Sequence, residues 1–258
     1  MKFLLYLLMV AALIGVAWTS WTITSANNAY RFTEYEAVFD EPSMEEDKAI
    51  SLEPKLLLVK DWQRPEGPLR VGLQVGHWKN SEVPAELEGL KQNAGGALGG
   101  GKYEWEVMLN MALLAADQLR AKGIEVDILP TTMPPDYYAD AFIALHADGN
   151  LNQLVSGFKI AHPRRDYSGK SASLESILYE QYAAATGFER DPNVTSRMRG
   201  YYAFNWRRYE HSIHPMTPAV ILETGFLTSP HDQRILIHDP QVAVNGIVQA
   251  VLKFLAVD

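Results

Sequence analysis

The sequence predicts an α/β fold, a single domain with a mixed, largely parallel central sheet flanked by helices, preceded by an N-terminal hydrophobic segment. Short apolar runs rich in β-branched residues, typical of buried strands, alternate with longer segments whose apolar residues recur at helical spacing. Strands are predicted at residues 69–75, 124–129, 141–145, 157–161 and 218–222. The main helices are predicted at residues 103–121 and 173–186, with a last one ending near residue 255.

Local signals support the predicted ends of these elements. Gly123 and Gly187 each follow a helical segment, in the position where glycine commonly ends a helix. Ser229-Pro230 and Asp239-Pro240 each place a capping residue before a proline, which predicts two helix starts near the C-terminus. Pro130 ends the strand at 124–129.

Length and composition limit the function. A chain of 258 residues that is 47% hydrophobic suits one globular domain with appendages, and we expect this domain to be monomeric. The absence of cysteine excludes disulfides and thiolate metal ligands, so a transition-metal site must use histidine and carboxylate side chains. The net charge of −8 argues against nucleic acid as a partner.

The first 26 residues predict a signal peptide or membrane anchor. Residues 3–18 are almost wholly apolar, and no charged side chain appears between Lys2 and Arg31. Trp18 and Trp21 stand where an interfacial aromatic belt would lie, which favours an uncleaved anchor. Either interpretation predicts export to the cell envelope, membrane-anchored or secreted.

Residues 27–66 predict an acidic linker. Within 27–55, eight acidic side chains stand against three basic ones, a pattern typical of a solvated spacer extended by like charge. The folded domain is predicted at residues 67–258.

Three predicted strands lead into ionisable side chains, namely His77, His146 and Glu223, and a helix begins at Glu104. Carboxyl ends of strands in one sheet gather at one edge, where ligands and chemistry are commonly found. Two histidines and one glutamate are the ligands of several catalytic zinc sites. A further carboxylate is then needed to move a proton between water and the leaving group.

Helix geometry leaves the choice between Glu104 and Glu106 open. The two residues lie two positions apart, so their side chains point about 200° from each other and only one can face the site. Periodicity alone favours a simpler role for both, in which each complements the helix dipole.

Four motifs carry a resemblance to a known family. Gly76-His77, Tyr103-Glu104-Trp105-Glu106, Leu145-His146-Ala147-Asp148 and the run from Pro218 to Leu227 occur in order. Together they resemble the zinc-dependent N-acetylmuramoyl-L-alanine amidases (amidase type 3 catalytic domain), which cleave peptidoglycan. The resemblance covers about residues 69–258, and its last motif is the most specific.

The resemblance implies a phosphorylase/hydrolase-like α/β domain with Zn²⁺ as cofactor and peptidoglycan as substrate. It assigns the zinc ligands to His77, Glu104 and His146. It assigns Glu223 as the catalytic carboxylate, acting as general base and then general acid while the bond between N-acetylmuramic acid and L-alanine is hydrolysed.

The sequence departs from the family beside the first ligand. Gln74 occupies the place of an aspartate, and Trp78-Lys79-Asn80 replaces a small glycine-rich turn. An acidic partner that orients His77 is therefore missing or replaced by the amide oxygen of Gln74. The short passage at residues 131–135 also lacks a family arginine motif. These departures bear on substrate preference more than on zinc binding.

An arginine- and aromatic-rich stretch at 197–209 predicts a substrate-binding wall, in which Arg197 and Arg199 would pair with peptide carboxylates. An edge strand with solvated arginines is an equal alternative. His214 is a further candidate for substrate binding because it lies just before the Glu223 strand.

Two other functions remain open at this stage. A zinc peptidase acting on another amide uses similar ligands, although the 27-residue gap between His77 and Glu104 disfavours it. A non-catalytic peptidoglycan-binding module is the second, and the presence of Glu223 argues against it because binding needs no proton-transfer group.

Overall fold

The structure is a computed structural model, and it describes residues 59–257. The predicted signal peptide or anchor at 1–26 and most of the predicted linker at 27–66 lie outside the described residues. Within residues 59–257, no single helix is long and apolar enough to cross a membrane. One pair, Pro230–His238 with Pro240–Leu255, reaches that length and composition only together, across a 74° bend.

A five-stranded sheet forms the centre of the domain. Its strands, in spatial order, are β4 (Glu125–Leu129), β1 (Arg70–Val75), β5 (Ala141–Asp148), β7 (Ala219–Phe226) and β6 (Lys159–Ala161). Four strands run parallel and β6 is antiparallel to β7, so the mixed, largely parallel sheet predicted from the sequence is confirmed. A small hairpin, β2 (Leu98–Gly99) and β3 (Lys102–Tyr103), stands apart from this sheet.

The central strand β5 and its neighbour β7 consist almost wholly of apolar residues because both of their faces are covered. On one face, Ile143 and Leu145 of β5 pack against the three long helices, which are α1 (Glu104–Arg120), α2 (Ser171–Thr186) and α5 (Pro240–Leu255). On the other face, Phe142 and Ala144 pack against the segment around residues 196–206. Strands buried on both faces need apolar side chains at every position.

The segment at 196–206 is helical, so the edge-strand interpretation of this stretch is wrong. It forms the short helix α3 (Ser196–Arg199) and a 3₁₀ turn at Tyr202–Phe204. The Thr195 side chain accepts a hydrogen bond from the Met198 backbone N–H and so begins the helix. Met198 and Phe204 are buried against the sheet, so this segment covers a face instead of extending an edge.

A short helix, α4 (Pro230–Gln233), and a π turn at Arg234–His238 lead into α5.

A charged hydrogen-bond cluster fastens the chain before β1 to the amino end of the sheet. Asp140 accepts hydrogen bonds from Arg64 at 2.6 and 2.8 Å, from the Arg70 backbone N–H at 2.8 Å and from the Tyr138 hydroxyl at 3.0 Å. Although burial opposes ionisation, these donors hold the pKa of Asp140 below its usual value. The charged carboxylate therefore stabilises the folded state.

The substitution Asp140→Asn tests this cluster. We expect a loss of about 1–2 kcal/mol in the free energy of unfolding at neutral pH, a modest value because Arg64 is 36% exposed and solvent weakens the pair. Since the pKa is lowered on folding, this stability is present above the unfolded value near 3.8 and is lost as the pH falls through the folded value. Urea unfolding of both proteins over an acid pH series should show the difference shrinking in that range.

The matched control is Glu180→Gln. Glu180 pairs with Lys253 at 2.9 Å, but both side chains are about half exposed or more. We expect a change below about 0.5 kcal/mol. An equal loss in the two variants would contradict the special role of Asp140.

Candidate active site

The carboxyl edge of the sheet gathers three of the side chains that the sequence singled out. His77, Glu104 and His146 each offer a ligand atom, and these atoms all lie within 4.8 Å of one another. His77 follows β1, His146 lies in β5, and Glu104 is the first residue of α1. The parallel strands β1 and β5 have aligned carboxyl ends, which brings His77 and His146 together. The start of α1 adds Glu104.

His77 is held in an unusual backbone conformation with one ring nitrogen occupied. Its φ angle is 60°, in the left-handed region that L-residues rarely adopt. Its Nδ1 lies 3.0 Å from the Asn93 carbonyl, which can only accept, so Nδ1 carries a proton and Nε2 is free. Nε2 faces Glu104 at 3.4 Å. Burial lowers the pKa of His77, more than the neighbouring Glu104 carboxylate raises it, which favours the neutral ring that binds metals.

Glu104 is a buried carboxylate with a partner for each oxygen. Oε2 accepts from the Ala97 backbone N–H at 2.9 Å, and Oε1 accepts from the Ala147 N–H at 3.1 Å. Oε1 also lies 2.9 Å from Nδ1 of His146. Burial opposes ionisation, but His77, His146 and the Ala97 N–H outweigh it and lower the pKa of Glu104 to about 2. Glu104 is therefore ionised at neutral pH.

Glu106 points elsewhere. Its carboxylate accepts a hydrogen bond from the Tyr103 backbone N–H at 2.8 Å, which satisfies a free donor at the start of α1. The structure thus brings Glu104 into the cluster and gives Glu106 the role of a helix cap.

Two glycines let the backbone approach the cluster closely. A Cβ on Gly76 would collide with the ring of His146, and a Cβ on Gly96 would collide with the side chains of Glu104 and His77. Gly96 also has a φ of 70°, which favours glycine. A larger side chain would not fit at either position, so Gly76 in the Gly-His motif and Gly96 in the glycine-rich loop before α1 must be glycine.

The three residues fit a divalent transition metal. They supply two imidazole nitrogens and one carboxylate oxygen, a donor set that suits zinc. A bound cation would offset the negative charge of the buried Glu104 carboxylate. His146, one of the three residues, also lines a pocket.

Glu223 lies in that pocket, directly beside His146 in the register of β5 and β7. Burial, together with the negative charges of Asp148 and Glu104, raises the pKa of Glu223 well above its usual value, and Lys159 opposes this only in part. The pocket is lined by His146, Asp148, Lys159, Thr195, Arg197, Met198, Tyr201, Ile221 and Glu223.

Lys159 is a site residue that sequence analysis did not identify. It lies opposite Glu223 in the β6–β7 register, and its Nζ lies 2.7 Å from Asp148 and 3.0 Å from Asp191. The only indication of its role in the sequence is that a lysine occurs within the predicted strand at residues 157–161. Asp148 closes the Leu145-His146-Ala147-Asp148 motif, and burial raises the pKa of its carboxyl despite the contact with Lys159.

The structure separates the three residues proposed to bind substrate. Arg197 lines the pocket. Arg199, two residues further along α3, is partly exposed and is absent from the pocket lining among the described residues. His214 is buried against Trp62 and Tyr138 at the amino end of the sheet, the edge opposite the cluster, so it has no place in this pocket.

The suggestion that Gln74 orients His77 is wrong. Gln74 is fully buried, and its side chain bonds to the Thr131 carbonyl and to the hydroxyls of Tyr201 and Tyr202. The partner of His77 is the Asn93 carbonyl, 16 residues away along the chain. A backbone acceptor leaves no mark in the sequence.

Comparison with solved structures gives the same fold. AmiC2 of Nostoc punctiforme, an N-acetylmuramoyl-L-alanine amidase, superposes with a TM-score of 0.53 at 20% identity, covering 74% of this chain and 99% of that one. Ami1 from Mycobacterium smegmatis gives 0.53 at 19% identity, covering 73% and 97%. The catalytic domain of CwlV from Bacillus (Paenibacillus) polymyxa var. colistinus gives 0.51 at 20%, covering 74% and 99%.

Sequence comparison identifies the family. No curated protein matches the chain at a significant level. Residues 71–253 match the sequence model of Amidase_3, N-acetylmuramoyl-L-alanine amidase. That match takes in well over half of the chain, including His77, Glu104, His146 and Glu223, and the chain therefore belongs to the N-acetylmuramoyl-L-alanine amidase family of peptidoglycan hydrolases.

Proposed function

We propose that the chain is a zinc-dependent hydrolase that cleaves the amide bond between N-acetylmuramic acid and L-alanine in peptidoglycan. The observation that carries this proposal is the cluster of His77, Glu104 and His146, with His146 and Glu223 lining the same pocket. Three protein ligands with an open position are typical of catalytic zinc, whereas structural zinc is usually enclosed by four.

The chain's residues have separate tasks in this reaction. When bound, zinc supplies a Lewis acid that polarises the substrate carbonyl and makes a water molecule more acidic. The Glu223 carboxylate accepts a proton from the attacking water, which becomes bonded to the carbonyl carbon. Glu223 then donates that proton to the nitrogen as the carbon–nitrogen bond breaks, leaving an amine on L-alanine and a carboxylic acid on the lactyl group, which ionises by releasing the second proton of the water to solvent.

The surroundings of Glu223 suit this double role. A carboxylate whose pKa is raised by burial and by neighbouring charges is a stronger base than an exposed one, and its conjugate acid keeps the proton until the amine departs. Lys159 holds Asp148 at 2.7 Å and so limits the negative charge beside Glu223.

We further propose that residues 1–26 carry the enzyme to the cell envelope, as an anchor or a cleaved signal, with residues 27–66 as an acidic spacer and a monomeric catalytic domain. The apolar run before Arg31 supports export, and peptidoglycan lies on that side of the membrane.

The metal centre is tested by Glu104→Gln, with Glu106→Gln as its matched control. We expect the full-length chain to bind one zinc ion, and Glu104→Gln to weaken zinc binding at least about 100-fold because an anionic ligand becomes neutral. Glu106→Gln should leave zinc affinity unchanged, since Glu106 bonds to the Tyr103 backbone instead. Competition with a zinc chelator measures both. Equal affinities in the two variants would remove Glu104 from the metal centre.

Glu223→Gln tests the proton-transfer role. The amide has the same shape as the carboxylate but accepts no proton, so we expect kcat to fall about 10²–10⁴-fold with zinc content retained. The measurement is release of L-alanine amino termini from purified peptidoglycan by the full-length chain in detergent. Glu189→Gln, at an exposed position outside the pocket, should match the wild type.

The same assay separates the alternatives. Stoichiometric zinc without release of L-alanine amino termini would indicate a peptidase acting on another amide. A wild-type chain that retains peptidoglycan without zinc or turnover would indicate a binding module.

Arg197→Ala tests substrate binding by the pocket, with Arg199→Ala as control. Because Arg197 lines the pocket and stem peptides carry carboxylates, we expect KM to rise about fivefold, a small factor since the side chain is exposed. Arg199→Ala should leave KM unchanged, and kcat should change little in either variant. A rise in KM for Arg199→Ala alone would contradict this assignment.

A further inference from the structure

Gln74 forms hydrogen bonds that fix the orientation of its amide. Its Nε2 lies 3.2 Å from the Thr131 carbonyl and 2.7 Å from the Tyr202 hydroxyl. A carbonyl can only accept, so the nitrogen must face Thr131 and the oxygen Oε1 must face the other way. Oε1 therefore needs a donor, and the Tyr201 hydroxyl lies 3.1 Å from it.

The amide orientation determines how Tyr201 meets His146. A tyrosine hydroxyl has one proton, and this one is donated to Oε1 of Gln74. The hydroxyl oxygen lies 3.0 Å from Nε2 of His146, so it accepts there and Nε2 must carry a proton. Nδ1 of the same ring, 2.9 Å from the Glu104 carboxylate, is then the only nitrogen left for a metal ion, which would displace any proton that Nδ1 donates to Glu104.

We propose that Gln74, acting through Tyr201, is a positioning residue that reserves Nδ1 of His146 for the metal ion. This inference rests on the metal centre of the proposed function. Gln74 does not itself line the pocket, and it acts on His146 only through the Tyr201 hydroxyl.

The relay opposes a competing arrangement. The Glu104 carboxylate beside Nδ1 stabilises a proton there, and in the neutral ring with its single proton on Nδ1 the lone pair is on Nε2, beside the Tyr201 hydroxyl. That ring would need Tyr201 to donate to Nε2, which would leave the buried Oε1 of Gln74 without a donor. A buried unsatisfied oxygen is costly, so the relay favours the tautomer that binds metal.

Ring packing holds the relay in place. The ring of Tyr201 meets the ring of His146 edge to face at a centroid distance of 5.4 Å and also contacts Tyr202 at 4.6 Å and Phe204 at 5.5 Å. Tyr202 bonds to Gln74 and to the Thr131 carbonyl, but its hydroxyl makes no hydrogen bond to His146 among the described residues. Tyr202 is thus a matched control within the same buried network.

Zinc affinity of the full-length chain, measured by chelator competition, tests the relay. Tyr201→Phe removes the hydroxyl and keeps the ring, and Gln74→Met frees that hydroxyl to donate to Nε2. We expect each to weaken zinc binding about 10–100-fold, the usual effect of removing an outer partner of a metal ligand. Gln74→Glu keeps an acceptor facing Tyr201 and should stay within about threefold of the wild type, as should Tyr202→Phe.

The tautomer itself supplies a readout that is independent of activity. Two-bond ¹H–¹⁵N spectra of the histidine-labelled chain, recorded before and after zinc is added, should show a proton on Nε2 of His146 and zinc on Nδ1. The His146 signals are identified by their loss in His146→Ala. Thermal unfolding of each variant separates loss of folding from loss of metal.

The outcomes are distinct. Zinc on Nε2, a proton only on Nδ1, or unchanged affinity in Tyr201→Phe would overturn the relay even if the amidase reaction is correct. Equal losses in Gln74→Glu, Gln74→Met and Tyr202→Phe would show a general effect on packing and would overturn it as well. A wild-type chain that binds no zinc would overturn the metal centre, and the Nε2 proton in the same sample would still decide whether the relay exists.

Discussion

The site depends on one buried carboxylate. Removing Glu104 from water carries a large desolvation cost, and its burial is tolerated because both oxygens accept backbone hydrogen bonds and contact histidine rings. The Ala97 N–H comes from the glycine-rich loop, the Ala147 N–H comes from β5, and Glu104 itself begins α1. Satisfying this carboxylate therefore fixes a loop, a strand and a helix relative to one another, and the ligand geometry follows from that arrangement.

The central sheet could be predicted from the sequence because its strands are buried on both faces and contain few polar residues. The same feature makes the ends of these strands conspicuous, since His146 and Glu223 follow long apolar runs. Their proximity then follows from the parallel pairing of β5 and β7, in which they are direct neighbours. One sequence pattern therefore predicts both the sheet and the edge that carries the candidate site.

Several details could not be predicted because they depend on contacts between distant parts of the chain. Helical periodicity could not distinguish Glu104 from Glu106, since the choice rests on N–H groups 7 and 43 residues from Glu104. Gln74 meets Tyr201 across 127 residues, and nothing near it in the sequence indicates that partner. His214 is close to the Glu223 strand in sequence, but it precedes that strand and so lies at the opposite edge of the sheet.

Electrostatic interactions connect the cluster of His77, Glu104 and His146 with the pocket that contains Glu223. Glu104, Asp148 and Glu223 converge at one edge of the sheet, and Lys159 is the buried cation that faces them within the described residues. Lys159 is shared with Asp191, so it compensates only part of this charge. The pKa of Glu223 is raised first by burial and then by the negative charges of Asp148 and Glu104, which Lys159 does not fully offset. A divalent cation on His77, Glu104 and His146 would offset the Glu104 charge at its source and draw Glu223 towards its ionised form, in which it can accept a proton. In the proposed mechanism, metal binding would therefore make the base available.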